Sequence, residues 1–282
     1  MSSPWIFICP SSRGIGRALT RRLLQTTTLP ILATTRDPDL ASAKARLLEG
    51  LASSPATATT HPSPEDIAPR LSLVNLDVTD DASISAASRH AATLFPASTH
   101  HLHLACAIPG VLHPEKNPRQ IDPALSLETF RVNAVGPLLL LRHFAHFLPQ
   151  LSTDLSPSPA ADPIRLPAAS AVWLSMSARV GSISDNRAGG WYSYRASKTA
   201  VSSFTKSFDN YLAARSGARA LAVAYHPGTV KTDLSRDYWA SVGEDRLFSP
   251  ELAAEKMVDF VAGVGERHRG RTWDWKGEEV PP

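Results

Sequence analysis

Short apolar runs and longer helical patterns take turns along this chain, and that alternation leaves few folds open. Apolar runs at 5–9, 30–35, 71–76, 101–107, 170–176, 219–225 and 271–275 read as strands. Stretches at 14–26, 39–52, 81–94, 124–149, 191–215 and 250–263 read as helices. Strand–helix alternation implies βαβ units and a parallel sheet, and right-handed crossovers then lay helices on both sheet faces. The expected architecture is a doubly wound α/β domain covering residues 1–282. Two segments break the rhythm. Residues 52–70 are rich in Ala, Ser, Thr and Pro, and 152–169 contain Ser-Pro-Ser-Pro-Ala-Ala-Asp-Pro. Both read as mobile surface loop insertions without enough core to mark a second domain.

Composition excludes several classes of function. The 282 residues are 43% hydrophobic and 20% charged, which fits a soluble globular protein with ample core. The net charge of +3 comes from 29 scattered Lys and Arg, and no basic block points to nucleic acid. The first apolar run, Trp5-Ile-Phe-Ile-Cys9, is too short to span a membrane and lacks a basic leader. Arg142 and His143 interrupt the leucine run 138–141, which reads as a core helix. The expectation is a cytoplasmic protein with no membrane partner. Two cysteines, Cys9 and Cys106, are too few for a disulfide framework.

The first strand leads into Cys9-Pro-Ser-Ser-Arg-Gly14-Ile-Gly16. Gly14 and Gly16 allow a backbone to approach a pyrophosphate, and the following helix N-terminus offers free N–H groups and a positive dipole. An ordinary strand–helix turn accounts for Gly-x-Gly equally well. Arg36 ends the second strand, 20 residues after Gly16. An acid there would take the ribose 2′-hydroxyl of NAD, whereas an Arg takes the 2′-phosphate of NADP. Arg13 adds charge to the same pocket. Asp37 follows at once, and a shift of one residue would reverse the reading. Asp77 ends the third strand and either bonds the adenine amino group or caps the next helix, a task that Thr79 and Asp80 serve as well. Tyr194 lies four residues before Lys198, so both project from one helix face. An ammonium there favours the phenolate, lowering the Tyr pKa and making a usable proton donor and acceptor.

Taken together, these motifs resemble the short-chain dehydrogenase/reductase family over nearly the whole chain. The resemblance rests on the glycine loop, Asp77-Val78, Asn133 in Arg-Val-Asn-Ala, Ser177, Tyr194 with Lys198, and Pro227-Gly228-Thr-Val-Lys-Thr232. The run Ser177–Lys198 and the segment Val111-Leu-His-Pro-Glu-Lys look like the C-factor and sniffer-type carbonyl reductase branch. The resemblance implies a single Rossmann-type domain with a seven-stranded parallel sheet. It implies Tyr194 as catalytic acid/base and Lys198 as the group that lowers its pKa and holds the nicotinamide ribose. Ser177 would polarise the substrate carbonyl, and Asn133 would support a water linked to Lys198. Ser12, Arg13, Gly14, Ile15, Gly16, Arg36 and Asp77 would line the adenosine and phosphate end of NADP. Pro227, Gly228, Val230 and Thr232 would border the nicotinamide. The partners implied are a small carbonyl or alcohol and further copies of the chain, as a homodimer or homotetramer, because the family pairs helices 124–149 and 191–215 between subunits.

The sequence departs from that pattern at three places. The family's opening Thr-Gly is Cys9-Pro10, where Pro lacks an N–H and the turn normally wants Gly. The Asn-Asn-Ala-Gly element is Ala107-Ile-Pro-Gly110, so apolar packing must replace side-chain bonds. If strands one and four are neighbours, these changes are linked, and Cys9 and Cys106 should be nearby buried thiols. Ser177 precedes Tyr194 by 17 residues, which requires an insertion within 181–190. Ser175 and Ser182 compete for the catalytic position, and alignment on Gly181 puts Ala178 there. The residues of Asp233–Phe248 should form a mobile, moderately apolar substrate lid, with Trp191, Tyr238 and Trp239 as candidate walls. His100, His101 and His103 read as an exposed strand entry rather than a metal site. The alternative function is a non-catalytic sensor or signalling protein that keeps the cofactor as a ligand; loss of cofactor altogether rests only on Pro10.

Overall fold

The computed structural model describes residues 1–51, 64–155 and 162–282. In chain order the elements are β1 (Ser3–Cys9), α1 (Gly14–Thr26), β2 (Ile31–Thr35), α2 (Leu40–Leu48), α3 (Pro64–Arg70), β3 (Leu71–Asn75), α4 (Asp81–Leu94) and β4 (His100–Ala107). There follow α5 (Pro123–Phe130), a π-helical turn (Arg131–Val135), α6 (Gly136–Phe144), β5 (Ala171–Met176), α7 (Tyr192–Ser216) and β6 (Ala220–His226). The chain continues through β7 (Thr229–Val230), β8 (Leu247–Phe248), α8 (Pro250–Ala262), β9 (Thr272–Asp274) and β10 (Glu279–Val280).

The main sheet runs β10-β9-β6-β5-β4-β1-β2-β3. Seven strands are parallel, as expected, and the two-residue β10 adds an eighth, antiparallel to β9. Alternating residues of β1 serve two cores. Ile6 and Ile8 pack under Leu19, Leu23, Met257 and Val261 of α1 and α8. Trp5, Phe7 and Cys9 pack on the opposite face with Ile84, Phe144 and Leu212 of α4, α6 and α7. Apolar burial on both faces is why β1 reads as an unbroken hydrophobic run.

Strands β1 and β4 are neighbours, with Ile8 opposite Cys106 and Cys9 opposite Ala107. Both thiols are buried, so the predicted proximity holds. The register nevertheless turns Cys9 into one core and Cys106 into the other, with the sheet between them. Burial pushes the Cys9 thiol up to about 12 and the Cys106 thiol higher still.

Several expectations need correction. The segment 52–70 is not all loop: 64–70 forms α3, while 52–63 lies outside the described residues. Within 152–169, residues 156–161 lie outside the described residues, and the following stretch is packed rather than loose. Leu166 is buried, and Ile164 donates its N–H to the carbonyl of Thr26. The histidines of β4 are not an exposed entry. His101 and His103 are buried and hydrogen-bonded in series, 3.1 Å apart. His103 Nε2 lies 3.0 Å from the Pro167 carbonyl, and His101 Nδ1 lies 3.0 Å from Ser2 Oγ.

Candidate active site

Strand order reverses between β4 and β2 around β1, and in open α/β sheets the crevice at such a point takes the ligand. A cavity of about 690 Å³ opens there. Its walls include Arg13, Gly14, Ile15, Gly16, Ser177, Tyr194, Lys198, Pro227, Gly228, Val230 and Thr232.

The glycine loop is built to present backbone. Helix α1 starts after Arg13 with no side-chain cap and no acid in its first turn. Its leading N–H groups therefore meet no capping side chain from the helix itself. A Cβ on Gly16 would lie 2.0 Å from the Pro10 carbonyl oxygen, so the helix can sit this close to the β1 exit only with glycine. Ser11 replaces the lost Pro10 donor by sending both its N–H and its hydroxyl to the Thr34 carbonyl, tying the loop to β2. These features fit a dinucleotide pyrophosphate.

At the adenosine end, Asp37 is held by Arg46, which pairs with its carboxylate, and by the Asp39 N–H. Arg36 is exposed and near enough to Asp77 to help hold that carboxyl below its ordinary range. The main cause of the low Asp77 pKa is its hydrogen bond from the Thr79 N–H. Asp80, not Asp77, caps α4. Of the two neighbours, Asp37 is engaged by Arg46, while Arg36 is exposed. Across the cleft, Asp233 pairs with Arg236 and lies 3.7 Å from Arg13.

At the other end, Tyr194 and Lys198 lie side by side in the first turns of α7. Lys198 Nζ is 5.7 Å from the Tyr194 ring centroid and donates to the Met176 carbonyl at 2.9 Å. The expected lowering of the Tyr pKa is not what this geometry produces. Burial pushes the Tyr194 phenol up to about 12 and pulls Lys198 down to about 8, because desolvation penalises both charged forms. Asn133, on the π-helical turn, acts as a clamp. Its Nδ2 donates to the Val111 carbonyl at 2.9 Å, and its Oδ1 accepts the Val111 N–H at 2.8 Å. These two hydrogen bonds tie the π-helical turn to the segment after β4. Gly110 lies between Asn133 and Lys198: its Cβ position is within 4 Å of both the Asn133 Oδ1 and the Lys198 Nζ.

Ser177 lines the cavity, but its hydroxyl is turned away. It donates to the Lys198 carbonyl at 3.1 Å and meets Ser202 Oγ at 3.1 Å. Ser175 and Ser182 are not lining residues; Ser182 accepts from the Asp185 N–H. Ala178 does line the cavity, so the position one residue on from Ser177 carries no hydroxyl. The expected lid begins with the 3₁₀ segment Asp233–Ser241, which contributes Leu234 and Tyr238 to the wall. Tyr238 packs on Trp191 with ring centroids 4.8 Å apart, whereas Trp239 donates to Ser235 and is not a lining residue. Leu247 and Phe248 leave the lid to pair with β7. His226 and Glu115 received no role from the sequence. His226 lines the cavity, and burial pulls its imidazole down to about 4. Among the described residues no group of three His, Cys, Asp or Glu is arranged to hold a metal ion.

A parallel doubly wound sheet, an uncapped glycine-loop helix at its switch point and a Tyr–Lys pair lining the same cleft define a Rossmann-type α/β fold. No protein-family profile matches the chain. It is 28% identical to C-signal of Myxococcus xanthus over 161 residues, 57% of this chain and 81% of that protein. It is 26% identical to short chain dehydrogenase tazN of Aspergillus terreus over 276 residues, 95% of this chain and 52% of that protein. Its fold matches an NADPH-bound carbonyl reductase from chicken fatty liver with a TM-score of 0.76 over all of both chains, at 24% identity. The chain is thus similar in sequence to a protein named as a short chain dehydrogenase and in fold to a carbonyl reductase.

Proposed function

We propose that this protein is an NADP-dependent oxidoreductase that reduces a carbonyl, or oxidises the corresponding alcohol, through a single domain. The observation that carries the reading is the buried Tyr194–Lys198 pair lining one cavity with the uncapped α1 N-terminus. The NADPH-bound state of the chicken carbonyl reductase supports the choice of cofactor. Ser12, Arg13, Gly14, Ile15 and Gly16 would hold its pyrophosphate, Arg36 its 2′-phosphate, and Pro227, Gly228, Val230 and Thr232 its nicotinamide. The bound cofactor supplies or accepts hydride. Tyr194 Oη, protonated at cellular pH, donates its proton to the carbonyl oxygen as charge develops there. Lys198 holds the ribose and stabilises the phenolate left behind. Asn133 keeps the β4 exit in place beneath both. Leu112, Val180, Trp191, Leu234, Tyr238 and Val242 exclude water and favour an apolar substituent on the carbonyl.

A second reading keeps the cofactor as a sensing ligand without turnover. The likeness to C-signal and the inward-turned Ser177 hydroxyl favour it. Fluorescence titration with NADPH and NADH, followed by turnover on a panel of aromatic and aliphatic aldehydes and ketones, separates the two. Tight NADPH binding with turnover supports the enzyme, binding without turnover the sensor, and no binding removes both.

We also propose a cytoplasmic homo-oligomer. The helical stretch Pro123–Phe147 has a mean hydropathy of 1.3 and is, by length and composition, long and apolar enough to cross a membrane, yet only 33% of its apolar window is buried. Leu125, Leu127, Phe130 and Leu138 stand exposed along it, which supports a subunit contact. Light scattering on the purified protein tests this.

A further inference from the structure

Helix α7 carries Tyr194 as its third residue, and it starts badly. Its N-cap is Trp191, whose φ of 50° is left-handed and whose side chain makes no capping bond. A bulky residue in that conformation is strained unless its surroundings hold it. The first N–H groups of a helix also need partners. Glu115, on the segment after β4, answers part of both needs from outside the helix.

Glu115 Oε2 accepts the Ser193 N–H at 3.0 Å, and Oε1 accepts the Ser193 hydroxyl at 2.5 Å. The main-chain carbonyl of Glu115 accepts the Trp191 N–H at 2.6 Å. Ser193 Oγ also meets Ser126 Oγ at 2.8 Å, so the contact extends to α5. The Glu115 side chain is 4% exposed, and among the described residues no ion pair includes it. A buried carboxylate without a cation is costly unless N–H and O–H donors and a helix dipole compensate it. Here all three come from the first turn of α7. That turn is also the part of the helix most prone to fray, and it holds the two aromatic groups, Trp191 and Tyr194, that line the cavity.

We propose that Glu115 is a positioning residue that caps α7 from outside and thereby sets where Tyr194 Oη and the Trp191 wall stand. The proposal rests on the reading of Tyr194 as proton donor. Glu115→Gln keeps the geometry, because the amide oxygen still accepts the Ser193 N–H and the amide nitrogen donates to a rotated Ser193 hydroxyl. Glu115→Ala leaves the Ser193 N–H unpaired and the Ser193 hydroxyl with Ser126 alone.

The test combines turnover, NADPH titration and hydrogen–deuterium exchange on the full chain. In Glu115→Ala, kcat should fall about tenfold or more while the NADPH Kd stays within about twofold, and amide exchange in 192–196 should rise about tenfold with the rest of the chain unchanged. Glu115→Gln should recover kcat to within about threefold of wild type. Three results would overturn the proposal: unchanged exchange in 192–196, unchanged kcat in Glu115→Ala, or a general rise in exchange that marks Glu115 as a stability residue only. If the wild type turns over no carbonyl, the reading of Tyr194 fails, and the exchange result at 192–196 still judges Glu115 by itself.

Discussion

Lys198 stands over the Tyr194 ring, 5.7 Å from its centroid, and spends a hydrogen bond on the Met176 carbonyl at the end of β5. The ammonium is thereby fixed to the sheet and not only to its own helix. Tyr194→Phe removes the proton donor and leaves this anchor untouched. Turnover should fall by about 10²–10⁴-fold with the NADPH Kd unchanged. Lys198→Met should lose turnover and cofactor affinity together. Stopped-flow turnover and fluorescence titration check both, and retained turnover in Tyr194→Phe would remove it from the mechanism.

On the proposed reading Arg36 selects the cofactor, since Asp37 is held by Arg46 and Asp39. Losing one charge-assisted contact to a phosphate costs about 1.5–3 kcal/mol, or roughly 10- to 100-fold in affinity. Arg36→Ala should weaken NADPH by that factor and leave NADH nearly unchanged. Parallel titrations decide it; equal losses for both cofactors would place Arg36 outside the phosphate site.

Ser177 donates its hydroxyl to the α7 backbone, so Ser177→Ala should lower kcat less than about tenfold, against the 10²–10³-fold typical of a lost oxyanion donor. Ala178→Ser, which adds a hydroxyl at a lining position, should raise kcat. A hundredfold loss in Ser177→Ala would restore that residue as the polarising group.

The histidine chain of β4 should make the fold acid-sensitive. The Pro167 carbonyl can only accept, so His103 Nε2 carries the proton, His101 Nε2–H donates to His103 Nδ1, and Ser2 donates to His101 Nδ1. Burial is the chief cause that pulls each imidazole down to about 4. The unfolded chain binds these protons near ~6.5, so it holds more protons than the folded chain between there and 4. Stability should therefore be fully present above pH 6.5 and fall towards pH 4, by up to about 1.4 kcal/mol per pH unit for each His. Urea melts of wild type and His103→Gln at pH 7 and 5 test the slope; equal slopes would contradict the assignment.

Gly16→Ala places a methyl 2.0 Å from the Pro10 carbonyl, a backbone atom that cannot swing aside. The variant should lose at least ~2 kcal/mol of stability and its NADPH binding. Thermal melts and titration on the purified variant check this, and a fully stable variant that binds NADPH would show that the loop relaxes.

The strands and main helices were legible because their signals are local. The run Trp5–Cys9 is apolar at every position since both sheet faces bury it, and α4 announces its start with Asp80. Helix α3 was missed because Pro64 and Pro69 sit beside a run of Ala, Ser and Thr that reads as loop. Glu115 had no legible role because its partner, Ser193, is 78 residues away. His101 and His103 looked exposed for the same reason, since what buries and bonds them is Ser2 at one end and Pro167 at the other. The direction of the Ser177 hydroxyl depends on how closely β5 approaches α7, which no spacing within 177–194 encodes.

The placement of Cys9 and Cys106 in separate cores gives the molecule an internal stopwatch. Neither thiol can reach the other to close a bridge, and neither offers a thiolate to a reagent while the sheet is intact. A thiol label added under native conditions can therefore react only at the rate at which the centre of the sheet opens. Because β1 and β4 flank the cofactor cleft, slowing of that labelling by added NADPH would report binding through the clock alone, with no substrate known and no residue changed.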